Sequence, residues 1–271
     1  MLTGFRLLIE MSRCVADLGA ARVTHAGVDL CELDAIIVKK LDRSHGPHTL
    51  DYLEMLRYVE RCGVPVFSRP QSLLRLVDRL SCSSTLASAG IPLPRTTVTE
   101  SIPDALAAIR RYGEAVLKPL YSSKAEGMHI VSSSEGAGLE ARLVAFQRAG
   151  NGLMYIQERL AIADRDLGVV FLGGEHVGTY ARVKSAGSWN TSAREGGHYE
   201  PHRAAPEVVA LARRAQAAFD LDLGTVDVVE TPDGPKVFEV SAYGGFRGSH
   251  EALGIDLAQR YARHVLSRVT S

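Results

Sequence analysis

Residues 225–245 read TVDVVETPDGPKVFEVSAYGG, two runs rich in Val, Phe and charged residues on either side of Pro232-Asp233-Gly234. The tripeptide is turn chemistry, and a loop centred on Asp233 folds the two runs into an antiparallel hairpin. Counting outward places Thr231 beside Pro235, Glu230 opposite Lys236, Val229 opposite Val237, Val228 opposite Phe238, Asp227 opposite Glu239 and Thr225 opposite Ser241. In that register Val226, Val228, Phe238 and Val240 share an apolar face, while Asp227, Glu239 and Ser241 share the other. Directly opposed residues have Cβ atoms about 4.5–5.5 Å apart, and like charges so placed destabilise a sheet. The pair needs a cation. Two carboxylates and a hydroxyl suit a hard divalent ion such as Mg²⁺ (or Mn²⁺); the alternative is a register slipped by one, with a carboxylate in solvent or against an arginine.

The 271 residues, 46% of them hydrophobic, are enough for two compact domains with cores of their own. Lys plus Arg balances Asp plus Glu at 31 each, so no global field points to nucleic acid or an anionic membrane surface. The widely spaced Cys14, Cys31, Cys62 and Cys82 lack any Cys-x-x-Cys pattern and read as reduced packing thiols of a cytoplasmic protein. No run approaches the roughly 18 apolar residues of a membrane span, and the start lacks the cleavage pattern of a signal peptide. His198 and His202 have helical spacing, but Pro201 and Gly196-Gly197 argue for a loop rather than a zinc site.

Helix and strand signals alternate over the first ninety residues: 5–18 helical, 34–41 a buried strand, 50–63 an amphipathic helix, 64–68 a strand, and 71–89 a leucine-striped helix stopping at Gly90. The Pro-rich turn 91–94 marks a boundary. Beyond it come strand 96–100, helix 101–113 with Ser101 as cap, a strand–polar loop–strand unit over 115–131, helix 138–149 and strand 154–160. Strands over 169–183, helix 206–221, the hairpin and helix 255–269 complete an antiparallel α+β part.

Polar residues punctuate these elements. Lys118 leaves an apolar strand beside the loop PLYSSKAEG, a placement suited to phosphate oxygens with Ser122, Ser123 and loop N–H groups around them, although such lysines often snorkel. Strand 154–160 ends in Gln157-Glu158-Arg159, where exposed backbone can meet a base edge. Asp166 can take ribose hydroxyls or pair within a loop. Arg182 and Lys184 share one face of a strand, followed by the loop of Trp189 and Arg194. If that strand lies in the sheet of Asp227 and Glu239, its cations favour phosphoryl transfer. Arg247 in GGFRG is placed for a substrate carboxylate or for loop structure; Lys39 and Lys40 end an N-terminal strand and either face an anionic substrate or border the sheet.

Taken in order, VDRLSCSSTLASAGIPLP, AVLKPLYSSKAEGM, IQERLAIADRDL, GTVDVVETPDGPKVFEVSAYGG and GSHEALGIDLA resemble the ATP-grasp ligases of the RimK-like branch over residues 77–269. KPLYSSKAEGM and EVSAYGGFRG are most similar to the ATP-grasp proteins of the bacterial GAK system. The resemblance implies two α+β subdomains gripping ATP, residues 95–160 (lid-like) and 161–271 (metal-binding), after a small, truncated α/β pre-grasp domain over 1–94 whose first strand is missing or very short. It implies an ADP-forming carboxylate–amine ligase acting through an acyl phosphate on small-molecule or peptide substrates, in a chain that is able to form homo-oligomers. Carried over by position, Arg79, Lys118, Ser122, Ser123 and Lys124 bind phosphates, Gln157, Glu158, Arg159 and Leu160 frame adenine, and Asp166 contacts ribose. Arg182, Lys184 and Arg247 serve the reacting groups, and Asp227, Glu239 and Ser241 hold Mg²⁺. Three departures stand out: Ser241 replaces the usual Asn, the 118–128 loop keeps only Gly127 of a glycine-rich segment, and the Trp189 loop carries Asn190 and Ser192 where Arg and Asn are expected. These keep open a catalytically weakened nucleotide-binding regulatory subunit, and the fold also admits a kinase.

Overall fold

The computed structural model describes residues 5–8, 11, 14–41, 48–122, 125–162, 164–192 and 196–270. The N-terminal part runs β1 (Phe5–Leu8), β2 (Cys14–Asp17), β3 (Arg22–His25), β4 (Val28–Asp29), β5 (Ala35–Val38), α1 (His48–Arg61), β6 (Val66–Phe67), α2 (Pro70–Leu74) and α3 (Arg79–Ser88). Strands β1, β5 and β6 form a parallel sheet in that order, and β2, β3 and β4 a separate antiparallel one. The expected helix over 5–18 is therefore wrong: it holds two strands. Short apolar runs fit either period, and pairing with the buried AIIV of β5 decides for strand. The first strand, expected to be missing or very short, is the four-residue β1. The helix expected over 71–89 is likewise two, because Asp78 turns outward to accept the N–H of Ser81 at 2.7 Å and caps α3. The leucine stripe runs through this break and conceals it.

Next come β7 (Thr96–Thr99), α4 (Ile102–Tyr112), β8 (Glu114–Lys118), β9 (His129–Ser132), α5 (Ala137–Arg148) and β10 (Met154–Glu158). The strands form an antiparallel sheet in the order β7-β10-β8-β9. Ser101 caps α4, and Gly113 ends it at φ +79°, a conformation that a side chain would strain. Ala105, Ile109, Leu117, Leu143, Phe146 and Ile156 fill a core belonging to this unit.

The chain finishes with β11 (Arg165–Leu172), β12 (Glu175–Val183), β13 (His198–Pro201), α6 (Pro206–Ala217), β14 (Leu223–Thr231), β15 (Gly234–Ser241), α7 (Phe246–Leu253) and α8 (Leu257–Val269). The segment of His198, expected to be a loop, is an edge strand paired with β12. This antiparallel sheet has the order β13-β12-β11-β14-β15. One face carries Leu167, Val169, Phe171, Val226, Val228 and Val240, which pack with Leu211 and Ala215 of α6. On the other, Val170, Tyr180 and Leu223 pack with α7, α8 and β5, leaving the charged ends of the same strands for the site.

The hairpin register is half as expected. Thr225 faces Ser241 and Asp227 faces Glu239, but Val228 faces Val237 and Thr231 faces Gly234. The loop has two residues, Pro232 and Asp233, rather than three, and a bulge at Phe238 absorbs the difference. Phe238 thereby leaves the apolar face expected for it, and fully buried Val237 takes its place.

Candidate active site

Alternation along β11, β12, β14 and β15 brings Asp166, Arg182, Asp227, Glu239 and Ser241 to one face of the five-stranded sheet. Asp166 lies in β11, not in a loop, directly opposite Arg182. The Arg182 guanidinium grips both Asp166 oxygens, at 2.9 and 3.0 Å, and reaches Asp227 Oδ2 at 2.9 Å. Asp166 and Asp227 are both buried. Burial pushes the Asp227 carboxyl up, with Glu239 and Asp166 adding to the effect and Arg182 opposing it; the two carboxylates hold Arg182 well above its ordinary value against the cost of its own burial.

Glu239 has a cation of its own. Arg79, the first residue of α3, donates to Glu239 Oε2 at 3.2 Å, to the Pro119 and Ser122 carbonyls at 3.0 and 3.1 Å, and to Ser122 Oγ at 3.2 Å. Its backbone N–H meets the carbonyl of Leu120 at 3.2 Å. Arg79 thus ties the loop after β8 to the carboxylate hairpin. The two opposed carboxylates do meet cations, and in this structure those are arginines, without the register slip that the alternative reading invoked. Ser241 Oγ accepts the N–H of Tyr243 at 3.2 Å, which leaves it a further lone pair.

At the end of β8, an inner strand of the four-stranded sheet, Lys118 Nζ donates to Gln157 Oε1 at 2.5 Å and lies 5.5 Å from the ring centre of Phe238, the bulge residue. Burial, with Arg79 nearby, lowers its pKa to about 7. Gln157 is itself buried and donates to Thr96 Oγ1 and Tyr155 Oη. At the strand end, Arg95 grips Glu158 through two hydrogen bonds of 2.9 and 2.7 Å and holds its carboxyl below the usual range. Arg159 pairs with Glu114 at 3.1 Å, and the Leu160 carbonyl accepts from Ile162 N–H at 3.0 Å.

Other expected residues lie apart from this cluster. Lys184 donates its backbone N–H to Asp164 and makes no ion pair among the described residues. Arg247 pairs with Glu251 at 2.6 Å and sits 5.7 Å from the ring centre of Tyr199. Ser123, Lys124 and Arg194 fall outside the described residues. Lys39 donates to the Tyr243 carbonyl and lies 4.5 Å from the ring centre of Phe246, tying β5 to the turn after Ser241. The Arg95–Glu158 clamp and the Phe238 bulge were not read from the sequence. A two-residue count of the Pro232-Asp233 loop would have exposed the bulge; Arg95 carries no comparable signal.

The oxygen donors of Asp227, Glu239 and Ser241 fit a hard divalent ion, and half-buried Lys118, lacking a carboxylate contact, fits a phosphate oxygen. Residues 77–265 match the RimK-like ATP-grasp domain. The chain belongs to the RimK-like ATP-grasp family. It is 26% identical over 265 residues to the tetrahydromethanopterin:alpha-L-glutamate ligase of Methanosarcina acetivorans, covering 88% of this chain and 82% of that one. To the ribosomal protein bS6–L-glutamate ligase of Salmonella paratyphi B it is 27% identical over 252 residues, covering 93% and 82%. Among solved structures, the ATP-grasp ligase PsnB complexed with a phosphomimetic variant of its minimal precursor, Mg and ADP superposes with a TM-score of 0.71 at 17% identity, covering 94% and 86%. The ATP-grasp fold expected from sequence is thus confirmed for this RimK-like member. No helix among the described residues is long and apolar enough to cross a membrane.

Proposed function

We propose that this protein is an ATP-dependent, ADP-forming carboxylate–amine ligase. A substrate carboxylate oxygen attacks the γ-phosphorus of ATP, the bond to the β-phosphate oxygen breaks, and ADP leaves an acyl phosphate. An amine then attacks the acyl carbon, inorganic phosphate departs, and the amine proton passes to solvent, leaving an amide. The observation that carries this reading is Arg182 shared between Asp166 and Asp227, on the same sheet face as Glu239. Such a group can move from carboxylate to phosphoryl oxygen without leaving the site. A divalent ion held by Asp227, Glu239 and Ser241 would supply positive charge to the β- and γ-phosphates.

The remaining roles follow from placement. Arg79, Lys118 and Ser122, with Ser123 and Lys124 of the same loop, bind phosphates, and the backbone from Gln157 to Leu160 frames adenine while Arg95 fixes the Glu158 side chain. Asp166 can take ribose hydroxyls only through lone pairs left over from its Arg182 pair. Lys184 neutralises the acyl phosphate, and Arg247 serves a substrate carboxylate once it exchanges Glu251 for it. Residues 95–160 act as lid and 161–271 as the metal-binding half, after an N-terminal part over 1–94. Since both sequence relatives described above are L-glutamate ligases, L-glutamate is the first amine to test, and the cytoplasm, with its ATP, is the compartment assigned. A regulatory nucleotide-binding role is the second reading, because Ser241 offers a hydroxyl where the family usually has the carboxamide oxygen of Asn.

The test is ADP release from Mg-ATP with L-glutamate and a panel of small carboxylic acids, with Asp227→Asn as control. Release that needs metal, acid and amine together, and disappears in the variant, supports the ligase. Tight ATP binding without turnover on any panel member favours the regulatory reading.

A further inference from the structure

Glycine inside a buried strand forfeits packing, and it is found where another group must approach closely. Gly168 is such a residue, in the middle of β11, opposite Asp227 on one side and Tyr180 on the other. A Cβ at Gly168 would lie 2.4 Å from Tyr180 Cζ and 2.6 Å from its hydroxyl oxygen, so the far end of the Tyr180 ring crosses β11 toward Asp227. From above, Gly248 of α7 leaves the matching space: a Cβ there would lie 2.5 Å from the same Cζ. Tyr199 closes the flank edge-on, at 5.4 Å between ring centres. Tyr180 is 3% exposed. Among the described residues no group hydrogen-bonds its hydroxyl, and the oxygen is not sealed from solvent as that of Tyr243 is, so a ligand can meet it. Its side chain shares the sheet face of Arg182 two residues on.

We infer that the Tyr180 hydroxyl is a further ligand of the transferring phosphoryl group, donating to one of its oxygens above Gly168, beside the Arg182–Asp227 pair. The inference rests on the ligase reading and extends it. Two glycines make room for one aromatic ring, which fixes the position and direction of a single donor. The phenol is neutral, since burial keeps it from ionising; it stabilises negative charge by a hydrogen bond and not by adding another cation. A donor fixed in advance where charge develops is worth more than one that must be ordered on binding.

The test uses the full chain with Mg-ADP, alone and with vanadate as the mimic of the phosphoryl group in flight. Tyr180→Phe keeps the ring and deletes the donor. Expected is an unchanged melting temperature, Mg-ADP affinity within about twofold of the parent, and a vanadate-dependent gain in affinity reduced about tenfold or more. Gly168→Ala, whose methyl displaces the ring, should show the same selective loss. Tyr180→Phe holding vanadate as tightly as the parent overturns the inference, as does a parent protein that binds Mg-ADP but gains nothing from vanadate. If the parent binds no Mg-ADP at all, the ligase reading itself fails and takes this inference with it.

Discussion

Arg182 and Lys118 border one site in opposite electrostatic states. Arg182 sits on the five-stranded sheet with two carboxylates in hydrogen-bond contact, whereas Lys118, at the end of a strand in the four-stranded sheet, has an amide oxygen and an aromatic face. The first is an ion cluster in which two carboxylates share one guanidinium; the second is a desolvated cation whose hydrogen-bond partner is neutral. A phosphate arriving at Lys118 fills a charge deficit, while one arriving at Arg182 must compete with Asp227. A divalent ion settles that competition by taking over the Asp227 carboxylate, so nucleotide and metal should bind in a mutually dependent way on the five-stranded sheet and far less so at Lys118.

The sharpest way to break this contrast is Asp227→Asn. Asn keeps an oxygen for Arg182 and so preserves the fold, but it removes a charged metal ligand; metal-dependent ADP formation should fall by about 10³-fold or more. A variant that retains a tenth of parent turnover would refute the assignment of Asp227 as a metal ligand.

Next in size is stability. Arg182→Met strands two buried carboxylates and should cost about 3–5 kcal/mol in urea unfolding. Arg182→Lys returns the charge without the two-pronged geometry and should recover only part of it. Lys118→Met removes a cation with no carboxylate in contact, so its effect should stay within about 1 kcal/mol, with stabilisation the expected sign. Equal losses in Arg182→Met and Lys118→Met would show that the two environments are not different in kind. The same Lys118→Met protein should bind Mg-ATP about 10- to 100-fold more weakly, as one charge-assisted contact is lost; unchanged affinity in a calorimetric titration would remove Lys118 from the phosphate site.

How far the sequence shows this arrangement depends on whether its signals are local. The β14–β15 pairing near Asp227 was legible because alternation and the Pro-Asp-Gly turn act over adjacent residues, and the helix capped by Ser101 was legible for the same reason. The error at Phe238 arose from counting one residue too many in the loop, and the bulge then restored the register where the carboxylates stand. The N-terminal strands were misread because their identity is set by long-range pairing: Phe5–Leu8 becomes a strand by lying along Ala35–Val38. Site contacts divide in the same way. That Arg182 and Asp227 share a face followed from alternation once both strands were put in one sheet, but Arg79 reaching Glu239, and Arg95 reaching Glu158, span 160 and 63 residues of chain, and no periodicity encodes them.

The smallest effect expected is also the most specific to the contrast. Burial brings Lys118 to a pKa of about 7, below the value of about 10.4 for an unfolded chain. Between those values the unfolded chain holds the proton and the folded one does not, so this group makes stability rise with pH across the window; below pH 7 its full cost is present. A bound phosphate reverses the shift by favouring the charged form. Nucleotide binding should therefore take up a proton at Lys118, about half of one at pH 7 and approaching one as pH rises further, with affinity weakening over the same range. Asp227, whose carboxyl burial raises, moves the other way, since a metal ion favours its ionised form and drives a proton off. Calorimetry of ADP binding without metal, repeated in two buffers of different ionisation enthalpy, isolates the uptake; adding Mg²⁺ should lower the net uptake. Lys118→Met should abolish the first signal and leave the second, and Asp227→Asn the reverse. If Lys118→Met leaves metal-free proton uptake intact, the titrating group lies elsewhere, and Lys118 is already charged in the free protein.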